Sequence, residues 1–162
     1  MNIKIINNFL ENEDFLNLKN KFLSNTFPYF YNDFKVNEND GSFQFTHLFY
    51  TNGKINSPYF NLIEPILIKL KVKSIVRVKL NMTFKEKKIK KNQFHTDVKD
   101  PQLDCKTAIL YFNTNNGKTV FKNKKEIKSV ANKLVLFPTK LEHTGTTHTN
   151  TKYRLVLNLN YF

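Results

Sequence analysis

Apolar residues recur at helical spacing in two places before residue 72, and from Ser74 the period changes to two. Residues 3–10 read as a short strand leading into a turn. Glu11-Asn12-Glu13-Asp14 opens a helix, with its acidic residues at the positive end of the dipole, and Phe15, Leu18, Phe22 and Leu23 give it an apolar stripe. Phe27-Pro28-Tyr29-Phe30-Tyr31 breaks that helix. The polar stretch from there to Gly41 reads as loop; Tyr29, Phe30 and Tyr31 either stack on a substrate or anchor the loop to the core, and the anchoring role is the expected one. Phe43, Phe45 and His47-Leu48-Phe49-Tyr50 read as a strand ending at Asn52-Gly53, and His47 takes a structural role. Ser57-Pro58 opens a second helix whose buried face is Phe60, Ile63, Ile66, Leu67 and Leu70. Pro65 interrupts that face and should kink or restart the helix.

Beyond Ser74, Ile75, Arg77, Lys79 and Asn81 share one face of a strand, and Val76, Val78, Leu80 and Met82 share the other. The polar face either lines a pocket or faces water. Asp100-Pro101 reads as a turn, and Thr107–Asn113 as an inner strand. Thr114-Asn115-Asn116-Gly117 predicts a tight hairpin turn after which Thr119-Val120-Phe121 pairs back, and Asn123–Glu126 turns again. Lys133–Pro138 is another buried strand, and Tyr153–Phe162 closes the chain. Short strands following two helices predict a mainly β fold with α: a sandwich or barrel with two N-terminal-half helices packed on one side. With neither repeat nor linker in evidence, 1–162 reads as one domain, with 1–72 a helical and strand support region and 73–162 the core.

Composition narrows the class. A chain of 162 residues with 40% hydrophobic and 14% aromatic content can bury a sizeable core. The net charge is +13, from 26 Lys and Arg against 13 Asp and Glu. Such a field attracts anions, nucleic acid included; lysine-rich coding bias gives the same surface. The densest basic run, Lys85-Glu86-Lys87-Lys88-Ile89-Lys90-Lys91, reads as a solvated loop or as a mobile cationic flap beside whatever site follows it. The single cysteine, Cys105, excludes an intramolecular disulfide and points to a reducing, cytoplasmic setting, with the thiol a buried bystander. No secretory segment or membrane-length apolar run is evident.

The candidate chemistry starts at Phe94-His95-Thr96-Asp97. On an extended segment, residues i and i+2 project to one side, so His95 and Asp97 can supply two ligands of a facial 2-His-1-carboxylate iron site. Downstream stand Tyr111-Phe112-Asn113, Gly117-Lys118-Thr119, Leu136-Phe137-Pro138, His143-Thr144-Gly145 and Arg154-Leu155-Val156-Leu157-Asn158.

In order and separation these segments resemble the Fe(II)- and 2-oxoglutarate-dependent dioxygenases. The likeness is greatest to their prolyl-hydroxylase-like branch, which includes small bacterial and viral members. The resemblance covers roughly half the chain, from about Ile75 onward. It implies a double-stranded β-helix (jelly-roll, cupin-like) core. It also implies a metal triad of His95, Asp97 and His143, with Arg154 and Tyr111 on the distal carboxylate of 2-oxoglutarate. His148 competes for the third ligand position, but His143 directly follows the 136–138 strand and precedes Gly145, so His143 is the expected ligand. Asn81, Asn158 and Asn160 are expected on the pocket wall; for Asn158 and Asn160 the other reading is a solvent-facing edge.

The implied cofactors are Fe(II) and 2-oxoglutarate, with ascorbate as an auxiliary reductant. The implied reaction is hydroxylation of an unactivated C–H bond, in a peptidyl residue such as proline or in an amino acid. A nucleic-acid-modifying dioxygenase is an alternative on charge. The alkylation-repair members, however, place a second Arg six residues after the first, where this chain has Asn160. A non-catalytic jelly-roll binding module is the remaining alternative.

Overall fold

A computed structural model of the protein describes residues 3–38, 40–98, 100 and 103–162. In chain order the elements are β1 (Lys4–Ile6), α1 (Asn12–Phe22), β2 (Phe30–Asn32), β3 (Gln44–Thr51), β4 (Lys54–Ile55), a 3-10 turn (Phe60–Ile63) and α2 (Glu64–Lys69). Then come β5 (Ile75–Phe84), β6 (Lys106–Tyr111), β7 (Lys118–Phe121), β8 (Glu126–Lys128), β9 (Lys133–Pro138), β10 (His143–Gly145) and β11 (Tyr153–Tyr161). The turn expected at Asp100-Pro101 includes Pro101, which lies outside the described residues.

The strands form two antiparallel sheets. The larger runs β1-β9-β6-β11-β5-β3-β2 with β4 beside β3, and the smaller runs β10-β7-β8. Strand alternation gives the larger sheet two unlike faces. One face presents Val78, Leu80, Ala108, Leu110, Leu155, Leu157 and Leu159, all buried against the helices. There α1 contributes Phe15, Leu18 and Phe22, and the second helical segment contributes Ile63 and Ile66. Phe22 is wholly buried, with the rings of Phe27, Phe49 and Phe112 centred 5.1–5.8 Å away. Pro65 restarts the helix: the 3-10 turn ends at Ile63, and α2 begins at Glu64 with the proline in its first turn, where its missing N–H costs nothing.

The opposite face looks into the space between the sheets. Ile109, Tyr111, Val135, Phe137 and Val156 meet Phe121 and Ile127 of the smaller sheet in a second apolar cluster. Beside that cluster, Arg77, Lys79, Asn81 and Thr83 of β5 stand next to Asn160, Asn158, Val156 and Arg154 of β11 in register. The polar face of β5 therefore lines a recess and does not face water.

Three expectations need correction. Thr119–Phe121 does not pair back on the 107–113 strand, because β6 already has β9 on one edge and β11 on the other. The chain instead crosses to the smaller sheet, where β7 lies between β10 and β8. The 30–32 stretch is not loop but β2, an edge strand on β3; three residues are too few to show an alternation. Of the aromatics there, Tyr29 anchors the chain through its hydroxyl, which donates to Phe22 O at 2.9 Å, while Phe30 and Tyr31 are more than 60% exposed. Finally, the 85–91 run is laced to the fold by its backbone and does not hang free as a flap. Glu86 N–H donates to His148 O at 2.9 Å, Lys90 N–H to Thr147 Oγ1 at 2.7 Å, and Thr147 N–H to Lys90 O at 2.9 Å.

Among the described residues no helix is long and apolar enough to cross a membrane.

Candidate metal centre

His95 and His143 are brought face to face by a two-residue antiparallel bridge, each N–H donating to the other's carbonyl at 3.0 Å. Their rings are centred 4.9 Å apart. Nδ1 of His95 lies 3.3 Å from Gln93 O, and Nδ1 of His143 lies 3.1 Å from Leu141 O. A carbonyl only accepts, so each ring carries its proton on Nδ1 and keeps Nε2 as the basic nitrogen. Both Nε2 atoms approach the Asp97 carboxylate, His143 at 3.6 Å and His95 at 4.0 Å. One ligand atom from each of the three residues falls within 4.8 Å of the other two. His148 stands outside this group; it is fully buried, and burial with Arg154 nearby pushes its pKa below the usual histidine value.

The carboxylate is held on four sides. Arg77 Nη2 donates to Oδ1 at 3.1 Å. Asn158 Nδ2 donates to Oδ1 at 3.2 Å and to Oδ2 at 3.1 Å, Asn160 Nδ2 donates to Oδ2 at 3.3 Å, and Thr107 Oγ1 donates to Oδ2 at 3.2 Å. Burial alone would raise the pKa of Asp97. His143, Arg77, Asn158 and His95 overcome it and hold the carboxyl down at about 2. For His95, burial and the neighbouring His143 push the pKa below its ordinary value. The site thus offers two imidazole Nε2 atoms and an ionised, oriented carboxylate, a donor set that fits Fe(II) with coordination positions left over.

Arg154 lines the same recess but is held away from the triad. Its Nε donates to Ser129 Oγ at 2.9 Å, and its guanidinium carbon lies 5.6 Å from the centre of the Tyr111 ring. Gly117 leaves room for it: a Cβ there would meet Arg154 Cδ at 3.1 Å and Asn115 Oδ1 at 2.8 Å. Asn113 secures the start of β11, accepting from Leu155 N–H at 3.0 Å and donating to Tyr153 O at 2.7 Å. Tyr111 is fully buried, with its hydroxyl 2.7 Å from Thr119 Oγ1; Thr119, not Tyr111, lines the recess. Asn81 and Asn158 line the wall, and Asn160, fully buried, bonds to Asp97 and to Thr107.

Cys105 and His47 lie elsewhere. The buried Cys105 thiol donates to Thr139 Oγ1 at 3.3 Å, and His47 is wedged between Pro28 O at 2.8 Å and Ser57 Oγ at 2.7 Å.

The sequence assigned no site role to Ser129 or Thr107, and it placed Arg77 and Lys79 only on a strand face that either lines a pocket or faces water. Arg77 and Lys79 carried a signal, since two cations on the inner face of a half-buried strand need a reason. Ser129 carried none, because it reaches Arg154 from a loop 25 residues away.

No protein-family model matches the chain, and no curated protein matches it in sequence. Solved structures do share its architecture. An oxidoreductase of the 2OG-Fe(II) oxygenase family from Burkholderia pseudomallei superposes with a TM-score of 0.71, covering 98% of this chain and 84% of that one at 10% identity. The chain has the 2OG-Fe(II) oxygenase fold. A Trichoplax adhaerens prolyl hydroxylase, solved with a peptide fragment of the oxygen degradation domain of hypoxia inducible factor, superposes at 0.66 over 99% of this chain and 83% of its own, with 15% identity. A truncated viral collagen prolyl hydroxylase from Paramecium Bursaria Chlorella virus-1 superposes at 0.58 over 98% and 88%, with 13% identity. The expected mainly β jelly-roll core with two helices is the observed architecture, and bacterial and viral oxygenases are among its structural neighbours.

Proposed function

We propose that this protein is an Fe(II)- and 2-oxoglutarate-dependent oxygenase that hydroxylates an unactivated C–H bond, in a peptidyl residue such as proline or in an amino acid. The observation that carries this reading is the convergence of His95, Asp97 and His143 in a recess that Arg154 also lines. His95, Asp97 and His143 would hold Fe(II), and Arg154 would take the distal carboxylate of 2-oxoglutarate. A guanidinium forks onto a carboxylate with two hydrogen bonds. When bound, the metal and 2-oxoglutarate would supply the oxidation together with dioxygen: one atom of O2 would go to the substrate C–H bond and the other to succinate, with loss of carbon dioxide.

The chain's own residues position and exclude. Arg77, Asn158, Asn160 and Thr107 fix the Asp97 carboxylate, so its orientation does not depend on the metal. Leu141 and Gln93 fix the imidazole tautomers. Ser129 and the Tyr111 ring hold the Arg154 side chain, whose pKa burial lowers from its ordinary value, so an incoming carboxylate relieves the cost of a buried cation. Ile109 and Val156 supply an apolar wall between the two polar ends.

The peptide-bound neighbour favours a peptidyl substrate over a nucleic acid. The test is Fe(II)-dependent conversion of 2-oxoglutarate to succinate with oxygen uptake. Replacing Arg154 by Ala should raise the 2-oxoglutarate KM by ~10–100-fold, the worth of a charged hydrogen-bonded pair. Iron-loaded, folded protein that never consumes 2-oxoglutarate would leave the binding-module reading in its place.

A further inference from the structure

The recess carries more positive charge than the proposed cofactors use. Four cationic side chains line it: Lys35, Arg77, Lys79 and Arg154. Three have an assigned counterpart. Arg77 pairs with Asp97 at 3.1 Å, Lys35 pairs with Glu86 at 3.3 Å, and Arg154 faces the proposed cosubstrate. Lys79 has none. Among the described residues no carboxylate lies within 4 Å of its amine, and Asp97 acts on it only from farther off. Fe(II) and 2-oxoglutarate bring equal and opposite charge, and Asp97 offsets one of the three cations Arg77, Lys79 and Arg154, so the loaded site still carries two positive charges, and Lys79 is the cation with no partner assigned.

Its position is an unfavourable one for a cation without a purpose. Lys79 is half-buried on the inner face, next to Arg77 along β5, and a like charge at that spacing repels it. The solvated lysines of the 85–91 run pay no such penalty. Register sets Lys79 beside Asn158, whose amide grips the Asp97 carboxylate, so the lysine neighbours the metal group. Arg154 pairs with Thr83, four residues farther along the sheet. At strand rise that separation is about 13 Å between backbones, so the two cations enter the recess from different ends.

We propose that Lys79 binds a side-chain carboxylate of the substrate, so that the hydroxylated C–H bond lies close to an anionic group. This rests on the oxygenase reading above and names the substrate class of the same site: an acidic peptide segment or a free acidic amino acid. The carboxylate is the shared chemistry, and the arms of the test separate its sources.

The test uses the whole protein loaded with Mn(II) and 2-oxoglutarate, which binds without turning over. The probes are end-blocked heptapeptides with a central proline flanked by Glu, the same peptides with Gln, and free L-glutamate against L-glutamine. Binding is read by calorimetry on wild type, Lys79→Gln and Lys79→Arg. The expected result is a preference of about tenfold or more for the acidic member of one pair, the worth of one charged hydrogen bond. Lys79→Gln should abolish it, Lys79→Arg should largely keep it, and the affinity for 2-oxoglutarate should be unchanged in both. The Glu peptide or free glutamate then identifies the source.

Equal binding of acidic and neutral probes to wild type overturns the proposal, as does an acidic preference that survives Lys79→Gln and so belongs to the outer lysines. A 2-oxoglutarate affinity that collapses in Lys79→Gln but holds in Arg154→Gln overturns it too, by making Lys79 the cosubstrate's anchor. Failure of 2-oxoglutarate to bind wild type at all is the separate signature of a failed oxygenase reading.

Discussion

The two faces of β11 were built from one run of residues and serve opposite ends. Leu155, Leu157 and Leu159 point toward the helices and are at most 1% exposed. Arg154, Asn158 and Asn160 point between the sheets, and the two asparagines grip Asp97. On the first face, burial of apolar surface stabilises the fold without reference to any ligand. On the second, polar groups are buried and only partly satisfied: Asn158 Oδ1, Asn160 Oδ1 and Arg77 Nε have no hydrogen-bond partner. Such a face is costly by itself and makes sense as a prearranged site. Apart from Val156, which joins the second apolar cluster from the inner face, stability and chemistry are thus separated by the two-residue period of a single strand.

The sharpest way to break that comparison is to exchange damage between the faces. Leu157→Ala should cost ~2–5 kcal/mol of unfolding free energy, measured from denaturant midpoints, and leave metal affinity per folded molecule unchanged. Asn158→Ala should do the reverse. It should weaken Fe(II) or Mn(II) binding by ~10–100-fold in a metal titration, because the ligand it orients is freed, while the metal-free midpoint falls by less than in Leu157→Ala. Equal stability losses in the two variants would erase the distinction.

A smaller effect should appear in pH. Burial, with Arg77 beside it, lowers the pKa of Lys79 from 10.5 to about 8, although Asp97 opposes the shift. Below about 8 both folded and unfolded chains carry the charge, and the fold bears the full penalty. Between 8 and 10.5 the unfolded chain holds more protons, so the stability of the metal-free protein should rise with pH across that window. In Lys79→Met that rise should vanish, as followed by thermal midpoints in the two backgrounds. The smallest effect belongs to neither face. The exposed pair Lys122 and Glu142, 2.6 Å apart just beyond the paired ends of β7 and β10, should contribute under ~1 kcal/mol when Lys122→Ala is measured.

The architecture was legible where periodicity was long. The stripe of α1, the alternation of β5 and the apolar runs of β6 and β9 each stand where the pattern placed them. Edge elements such as β2, β4 and β8 escaped, because two or three residues cannot express a period. The partner of β7 escaped for a different reason: a hairpin turn is a local signal, whereas the occupation of both edges of β6 is a property of the whole sheet.

At the site, His95, Asp97, His143 and Arg154 could be named from spacing and resemblance, and the fold brings all four to one recess. What spacing could not supply was the support: Ser129 behind Arg154, Thr107 beside Asp97, and the Tyr111 hydroxyl turned to Thr119. Those contacts join strands far apart in sequence and exist only once the sheets have closed.

The most direct measurement is an anaerobic titration of Fe(II) and 2-oxoglutarate into wild type, His95→Ala, His143→Ala and His148→Ala, watching for the weak visible charge-transfer band of an iron-bound 2-oxo acid. A facial triad leaves the two adjacent positions that such chelation needs. The expected result is a band in wild type and His148→Ala that is absent from His95→Ala and His143→Ala. A folded, iron-loaded wild type without the band, or a band that depends on His148 and not on His143, would contradict the assignment of His95, Asp97 and His143 as the metal centre.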